Sequence, residues 1–466
     1  MEQVRFTGWR RYVLIQPPAM LLLAAMAMSG AIMTDMIVYR TCTMMLGVNK
    51  TECRILHDNS SSPEAHRIDL LVQPHASLIV MSKSFVESIF PSLLALFLGP
   101  WSDKYGRKPV ILSGYIGTCL TYLLLCVMAN WEIAAWYFLL AYIPTALLGG
   151  IGVLMLASFC YITDITNENE RAWHLAWLDA STNAGLLIGL FSAPAIFDAY
   201  GYTTVFGVAT VLSAVAILYI VIFVPETIHS NSSGICQIFD FVLVKDLINT
   251  CLRKRDGFNR SIVWICIGSL TLLLIIMQGE LTIGYLFVSA RLGWSVEKYS
   301  IYVGINIMLG IVGTIAGIKL MRKCAGLPEA VVAIISATSS CSAALVSAFT
   351  WQSWHMYLSM VLGMFNGMSR PMIRSIMSKT VPVQDTGKIF SVATGLETLL
   401  PFAAASLYTF LYSHYMPPVY PLPVWFLSVA FYVLTIVLLI CIQTQMKSSN
   451  NVAYTSITDN DDALDS

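Results

Sequence analysis

Twelve apolar stretches, most of them long enough for about 20 helical residues, follow one another along a 466-residue chain with mainly short polar connections. A bilayer core offers no water to backbone N–H and C=O groups, so such stretches cross it as helices that satisfy those groups internally. Hydropathy places the spans near 12–39, 76–97, 109–129, 135–161, 175–197 and 204–224. Six more fall near 261–287, 299–321, 328–350, 355–376, 389–412 and 424–441. The predicted fold is an all-α membrane protein of twelve transmembrane helices. A polar gap at 225–260 separates an N-terminal half (1–224) from a C-terminal half (261–443), six helices in each, and 444–466 follows as a tail. Two six-helix halves are the layout of a transporter built from pseudo-symmetric repeats.

The composition narrows the class further. Residues are 57% hydrophobic and 12% charged, about half the charged share of a soluble domain, which excludes a soluble enzyme on a single anchor. Basic and acidic residues balance at 27 each, so no overall field suits a nucleic-acid partner. The sequence contains no metal-ligand spacing, nucleophile elbow or Walker loop, so neither an enzyme nor an ATP-driven pump is expected, and no metal or cofactor.

Lysines and arginines concentrate in alternate connections. Arg5, Arg10 and Arg11 precede the first span, Lys104, Arg107 and Lys108 follow the second, and Arg253, Lys254, Arg255 and Arg260 lie in the central gap. The turns near Asn130, Gly201, Trp351 and Ser413 carry none, and Arg291 and Lys298 are the short-loop exceptions. The positive-inside rule then puts both termini in the cytosol and the segment 40–73 outside. That outer segment holds two acceptor sequons, at Asn49 and Asn59, beside Cys42 and Cys53. Sugars and a disulfide both suit an oxidising, non-cytosolic compartment, although spacing alone does not fix the pairing.

Between the second and third spans stands Gly99-Pro100-Trp101-Ser102-Asp103-Lys104-Tyr105-Gly106-Arg107-Lys108. A tight turn calls for Gly106 at an unusual backbone angle, Asp103 can accept hydrogen bonds at a helix end, and Arg107 can pair with carboxylates on a neighbouring helix. The spacing resembles the signature loop G-x-x-x-D-x-x-G-R-[RK] of the major facilitator superfamily. The resemblance implies a conformational latch that holds the cytosolic side closed in the outward-open state. Asp164, Glu168 and Arg171, after the fourth span, are the expected partners, and the second-half counterpart at 317–326 is degenerate.

Further segments resemble solute carrier family 46, which holds the proton-coupled folate transporter and lysosomal relatives. They are Ala157–Asp164, Leu178-Asp179-Ala180-Ser181, Pro225-Glu226-Thr227 and Pro371-Met372-Ile373-Arg374-Ser375. The resemblance implies a role for Asp179 in proton coupling and for Arg374 in substrate and proton handling. Two positions depart from the folate transporter: the run 272–286 contains no histidine, and Gly150 stands where that protein has an aspartate. Both departures argue against folate as the solute.

An ionisable side chain inside a span costs at least about 2.5–3.5 kcal/mol, which makes each one a candidate for function. They are Asp35, Lys83, Glu87, Asp179, Glu280, Arg370, Arg374 and Glu397. Lys83 and Glu87, four apart, can neutralise each other. Asp179, Glu280 and Glu397 are the candidate proton carriers; Arg374, Arg370 and Asp35 are the candidate solute contacts, with an anion expected between the two arginines. In the tail, Tyr454-Thr455-Ser456-Ile457 fits a sorting signal read by clathrin adaptors, and the acidic composition around it predicts disorder. The expected protein is therefore a proton-coupled symporter of a small organic anion in the plasma membrane, endosome or lysosome. The alternative is an uncoupled facilitator or a lysosomal exporter of steroid conjugates or other catabolites.

Overall fold

The computed structural model describes residues 13–53, 63–228, 245, 260–292, 294, 296–381, 385–414 and 423–464. Their regular structure is helical, and no strand occurs among them. The helices are α1 (Gln16–Arg40), α2 (Pro63–Tyr105), α3 (Lys108–Ala129), α4 (Ile143–Leu147), α5 (Gly150–Ile165), α6 (Glu168–Phe223), α7 (Arg260–Leu292), α8 (Val296–Ile318), α9 (Glu329–Ala348), α10 (Ser353–Leu362), α11 (Ser369–Lys379), α12 (Thr386–His414) and α13 (Pro423–Leu464). Prolines in the first turns of α1, α3 and α4 start these helices where no N–H is needed.

Nine helices among the described residues are long and apolar enough to cross a membrane. One of them, Glu170–Phe223, is a double crossing, broken at Gly201 with φ 76°, a left-handed conformation that glycine adopts without a steric penalty. The tenth crossing is interrupted, α10 and α11 being joined through a 3-10 turn at Asn366–Met368, and α12 supplies the eleventh. With the double crossing counted as two, helices among the described residues occupy all twelve predicted span positions. The fourth crossing is interrupted as well: a 3-10 turn, Ala135–Tyr142, leads into α4, and Gly149 (φ 98°) and Gly150 (φ 56°) break the chain before α5.

Two segment boundaries differ from those the sequence predicts. The outer segment does not remain a loop to residue 73, because α2 starts at Pro63. Val72 and Ala76 are buried with Cys42 and Cys53 in one apolar cluster, so this polar stretch is helical through tertiary packing that a hydropathy window does not register. At the other end α13 continues to Leu464, a helical extension where composition predicts a disordered tail. A long apolar helix has already met the cost of nucleation, and each added residue gains a backbone hydrogen bond.

The chain forms two compact units. The first comprises Met1–Thr166, Trp177–Ile248 and Gln384–Leu399; the second comprises Asn167–Ala176, Asn249–Val383 and Leu400–Ser466. The division is not the single cut at 225–260 that the sequence suggests. The first turns of α12 belong to the first unit and those of α6 to the second, for reasons found in the polar contacts below.

Candidate functional site

In the first unit the signature loop closes on a buried arginine. Arg107 is 1% exposed and its fork is fully used: Nε donates to Asp164 at 3.0 Å, Nη1 to the Ser102 hydroxyl at 2.7 Å, and Nη2 meets Asp103 at 2.5 Å. Burial alone would favour loss of its proton, but the nearby Asp103 and Asp164 more than reverse this and hold the guanidinium charged, above the usual arginine range. The backbone N–H groups of Arg107 and Lys108 donate to the two carboxylate oxygens of Glu226, at 2.8 and 3.1 Å. Thr227 adds a hydroxyl to Asp164.

Glycine is needed at two places here. Gly106 has φ 136°, and a Cβ there would sit 2.7 Å from Glu226 Oε2. Gly387, at the start of α12, gives its N–H to Asp103 Oδ1 at 3.1 Å, and a Cβ would come within 2.2 Å of the same oxygen. A carboxylate at a helix N-terminus is favoured by the unpaired N–H groups and the dipole. Gly99 likewise lies against Ser391, whose hydroxyl donates to Ala95 C=O. These bonds tie residues 384–399 into the first unit.

The second unit has its own set. Within this unit Arg171 Nη1 donates to the Ser378 hydroxyl at 2.9 Å, which ties the first turns of α6 to α11. Nearby, buried Glu329 takes the Ser375 hydroxyl at 3.0 Å, Lys379 Nζ at 2.9 Å and Arg322 Nη2 at 3.3 Å. The degenerate stretch 317–326 therefore supplies Arg322 to an ion-pair cluster. Sequence reasoning missed Glu226, Glu329 and Gly387 as site residues. Glu226 lies in the Pro225-Glu226-Thr227 segment, and nothing local in that segment reveals that it reaches two N–H groups 118 and 119 positions away.

The candidate intramembrane groups divide between the units. In the first, Asp35 accepts the Tyr202 hydroxyl at 2.6 Å, and Lys83 pairs with Glu87 at 2.9 Å while lying over the Tyr142 ring. Asp179 and Glu397 are half-buried. In the second, Arg374 is buried and Arg370 Nη2 donates to Met277 Sδ at 2.7 Å. Glu280 is placed in α7 with its Oε1 buried and without a hydrogen-bond partner.

In the outer segment Cys42 and Cys53 form a disulfide, with Cα atoms 6.0 Å apart. Lys50 pairs with Glu132 and, by hydrogen bonding to its carboxylate, holds it below the usual glutamate range. Asn49 is exposed, and Asn59 lies outside the described residues. Tyr454 and Ile457 fall on the helical extension of α13, and their side chains are outside the described set.

Residues 74–406 match the family described as Major Facilitator Superfamily. A Drosophila melanogaster protein described as "probable peptidoglycan muropeptide transporter SLC46" is 26% identical over 86% of this chain and 80% of its own. The Mus musculus lysosomal proton-coupled steroid conjugate and bile acid symporter SLC46A3 is 27% identical, covering 91% of this chain and 93% of its own. The Rattus norvegicus proton-coupled folate transporter is 25% identical over 85% of each. Among solved structures, the human organic anion transporter MFSD10 aligns with TM-score 0.71 at 15% identity, covering 92% of this chain and 99% of that one. The Escherichia coli fucose:proton symporter aligns with TM-score 0.66 at 15% identity over 92% and 98%.

Proposed function

The chain belongs to the major facilitator superfamily of multi-pass membrane transporters, and on that premise we propose that it is a proton-coupled symporter carrying a small organic anion toward the cytosol by alternating access. The observation that carries this reading is the cluster of Asp103, Arg107, Asp164 and Glu226 with the Gly387 N–H. It couples the end of α2 to the start of α12, an element from the other half of the sequence. Removing one partner from a buried ion pair costs about 3–5 kcal/mol, so such a cluster favours one state strongly enough to act as a latch, and its release has to be offset elsewhere in the cycle.

A gradient must supply the energy for uphill transport, and half-buried carboxylates can take up and release protons as neighbouring cations move. Asp179 and Glu397 in the first unit and Glu280 in the second are the proposed carriers, with Arg374 and Arg370 facing the anionic solute and Asp35 assisting. The proton coupling named for the SLC46A3 and folate-transporter relatives supports this reading. The positive-inside distribution puts the signature loop and both termini in the cytosol, which would leave Asn49 and Asn59 available for glycosylation on the other side. A lysosomal or plasma membrane and adaptor binding through Tyr454 and Ile457 belong to the same proposal. An uncoupled facilitator or lysosomal exporter remains the competing function.

Flux into proteoliposomes, with steroid conjugates, folates and muropeptides offered in turn, tests the proposal. Accumulation that depends on an inward proton gradient is the expected result. Equilibration at the same rate with and without the gradient would establish the facilitator instead.

A further inference from the structure

Two membrane crossings of the second unit, Arg260–Tyr285 in α7 and Pro423–Met446 in α13, reach the same membrane face, where Gln445 Nε2 donates to the Ser261 hydroxyl at 3.3 Å. Beside this bond runs a cavity of about 440 Å³, lined by Arg260, Ser261, Trp264, Ile265 and Gly268 of α7 and Leu438 of α13. Its volume falls in the range of small-molecule pockets, about 300–1,000 Å³, and exceeds what a single water fills. Ser261, Trp264, Ile265 and Gly268 follow the spacing of one helix face. The cavity is an open trough: Arg260 and Ser261 are exposed, Trp264 is 41% exposed, and a Cβ on Gly268 would meet no atom within 4 Å.

The trough is polar at one end and apolar along its length. Arg260 and Ser261 stand at the limit of both crossings, at the level of lipid headgroups. Trp264, one turn deeper, has the place and the chemistry of an interfacial anchor. Gly268 lies eight residues from Arg260, about 12 Å further along the helix, so the floor of the trough runs into the hydrocarbon layer. A phosphodiester fits the polar end. The Arg260 guanidinium offers a permanent charge and a fork of N–H donors, and Ser261, which accepts from Gln445, keeps its own proton to donate. The neighbouring sequence is basic: Arg253, Lys254 and Arg255 precede Arg260, Lys447 follows the α13 crossing, and Asp256 is the single acid between positions 247 and 262. Basic pockets between helices at a membrane face attract anionic headgroups.

We infer that this trough binds one anionic phospholipid, in the leaflet that borders the central segment 225–260. The phosphodiester rests on Arg260 and Ser261, and one acyl chain lies along Trp264, Gly268 and Leu438. Binding changes no covalent bond. A lipid seated there bridges α7 and α13 within the second unit. The site is separate from the candidate proton and solute groups, so it draws on the membrane-spanning fold and not on proton coupling or on the identity of the solute.

The test is native mass spectrometry of the full-length protein in detergent, titrated with dioleoyl phosphatidylserine or dioleoyl phosphatidylcholine, whose chains are identical. For the first lipid bound, the wild type should prefer phosphatidylserine by about fivefold, the worth of one basic residue at an anionic surface. Arg260→Gln should abolish that preference. Gly268→Leu, whose Cβ meets no neighbour, should fill the trough and weaken both lipids. Phosphatidylserine with brominated chains should quench a part of the wild-type tryptophan emission that is missing in Trp264→Phe. Equal binding of the two lipids by the wild type, a preference that survives Arg260→Gln, wild-type affinity in Gly268→Leu, or unchanged quenching in Trp264→Phe would overturn the proposal. Displacement of the lipid by equimolar inorganic phosphate or glycerophosphoserine would overturn it too, by showing a site for free anions. Arg260 and Trp264 are exposed, so the fluorescence and charge variants keep the test open if Gly268→Leu folds poorly.

Discussion

The Asp103 carboxylate accepts the backbone N–H of Gly387 at 3.1 Å, across 284 positions of the chain. A side chain from the end of α2 thus caps the first turn of α12, and the same Asp103 pairs with buried Arg107. One carboxylate serves a helix terminus and a guanidinium together. This arrangement explains why residues 384–399 fold with the first unit although they belong to the second half of the sequence.

Gly387→Ala should act mainly on the transport cycle. The new Cβ would meet Asp103 Oδ1 at 2.2 Å and displace the cap. Losing a carboxylate from a helix N-terminus costs about 1 kcal/mol, roughly a fivefold shift between conformations. Cysteine accessibility at the signature-loop end should rise by about that factor, while thermal stability changes little. An accessibility pattern like the wild type's would mean that the contact has no latch role.

Arg107→Ala should be much more severe. It leaves Asp103 and Asp164 buried without their cation, a loss of about 3–5 kcal/mol. Arg107→Lys keeps the charge but cannot reach Asp103, Asp164 and Ser102 together, so its loss should be smaller though still measurable. Thermal melts of both proteins in detergent should rank wild type, lysine and alanine in that order.

Asp179→Asn should remove proton-driven accumulation and spare solute exchange. The substitution deletes the charge of a half-buried carboxyl while preserving its size. Uptake measured at acidic and neutral outside pH reads the effect directly. Full pH dependence in the variant assigns the coupling elsewhere.

The outer segment offers a separate check on orientation. Asn49→Gln combined with Asn59→Gln should collapse the slower-migrating glycosylated species into a single band on a gel. Cys42→Ser opens a short loop, of sequence separation 11, and should lower stability by about 3 kcal/mol by the loop-entropy account. An unchanged migration in the asparagine double variant would place that segment in the cytosol.

Much of the architecture was legible because a bilayer imposes a one-dimensional rule: enough consecutive apolar residues must form a helix. Gly201 and the signature loop were equally visible, since their constraints are local. The limits of α2 were less so. Its first turns are polar in sequence and are helical because Val72 and Ala76 bury against the disulfide-linked outer segment.

The site divides along the same line. Asp103, Gly106 and Arg107 stood out from spacing alone, and Glu280 from its charge in an apolar run. What the linear chain does not encode locally is which distant groups meet them. Glu226 reaching back to the N–H groups of Arg107 and Lys108, Arg171 turning to Ser378, and Glu329 collecting Ser375, Lys379 and Arg322 are all set by tertiary packing. Apolar length and local turn chemistry are properties of neighbouring residues, so sequence alone determined the helices and their likeness to a transporter family. Ion pairing depends on distance in space, so only the folded units decided which charges hold one another.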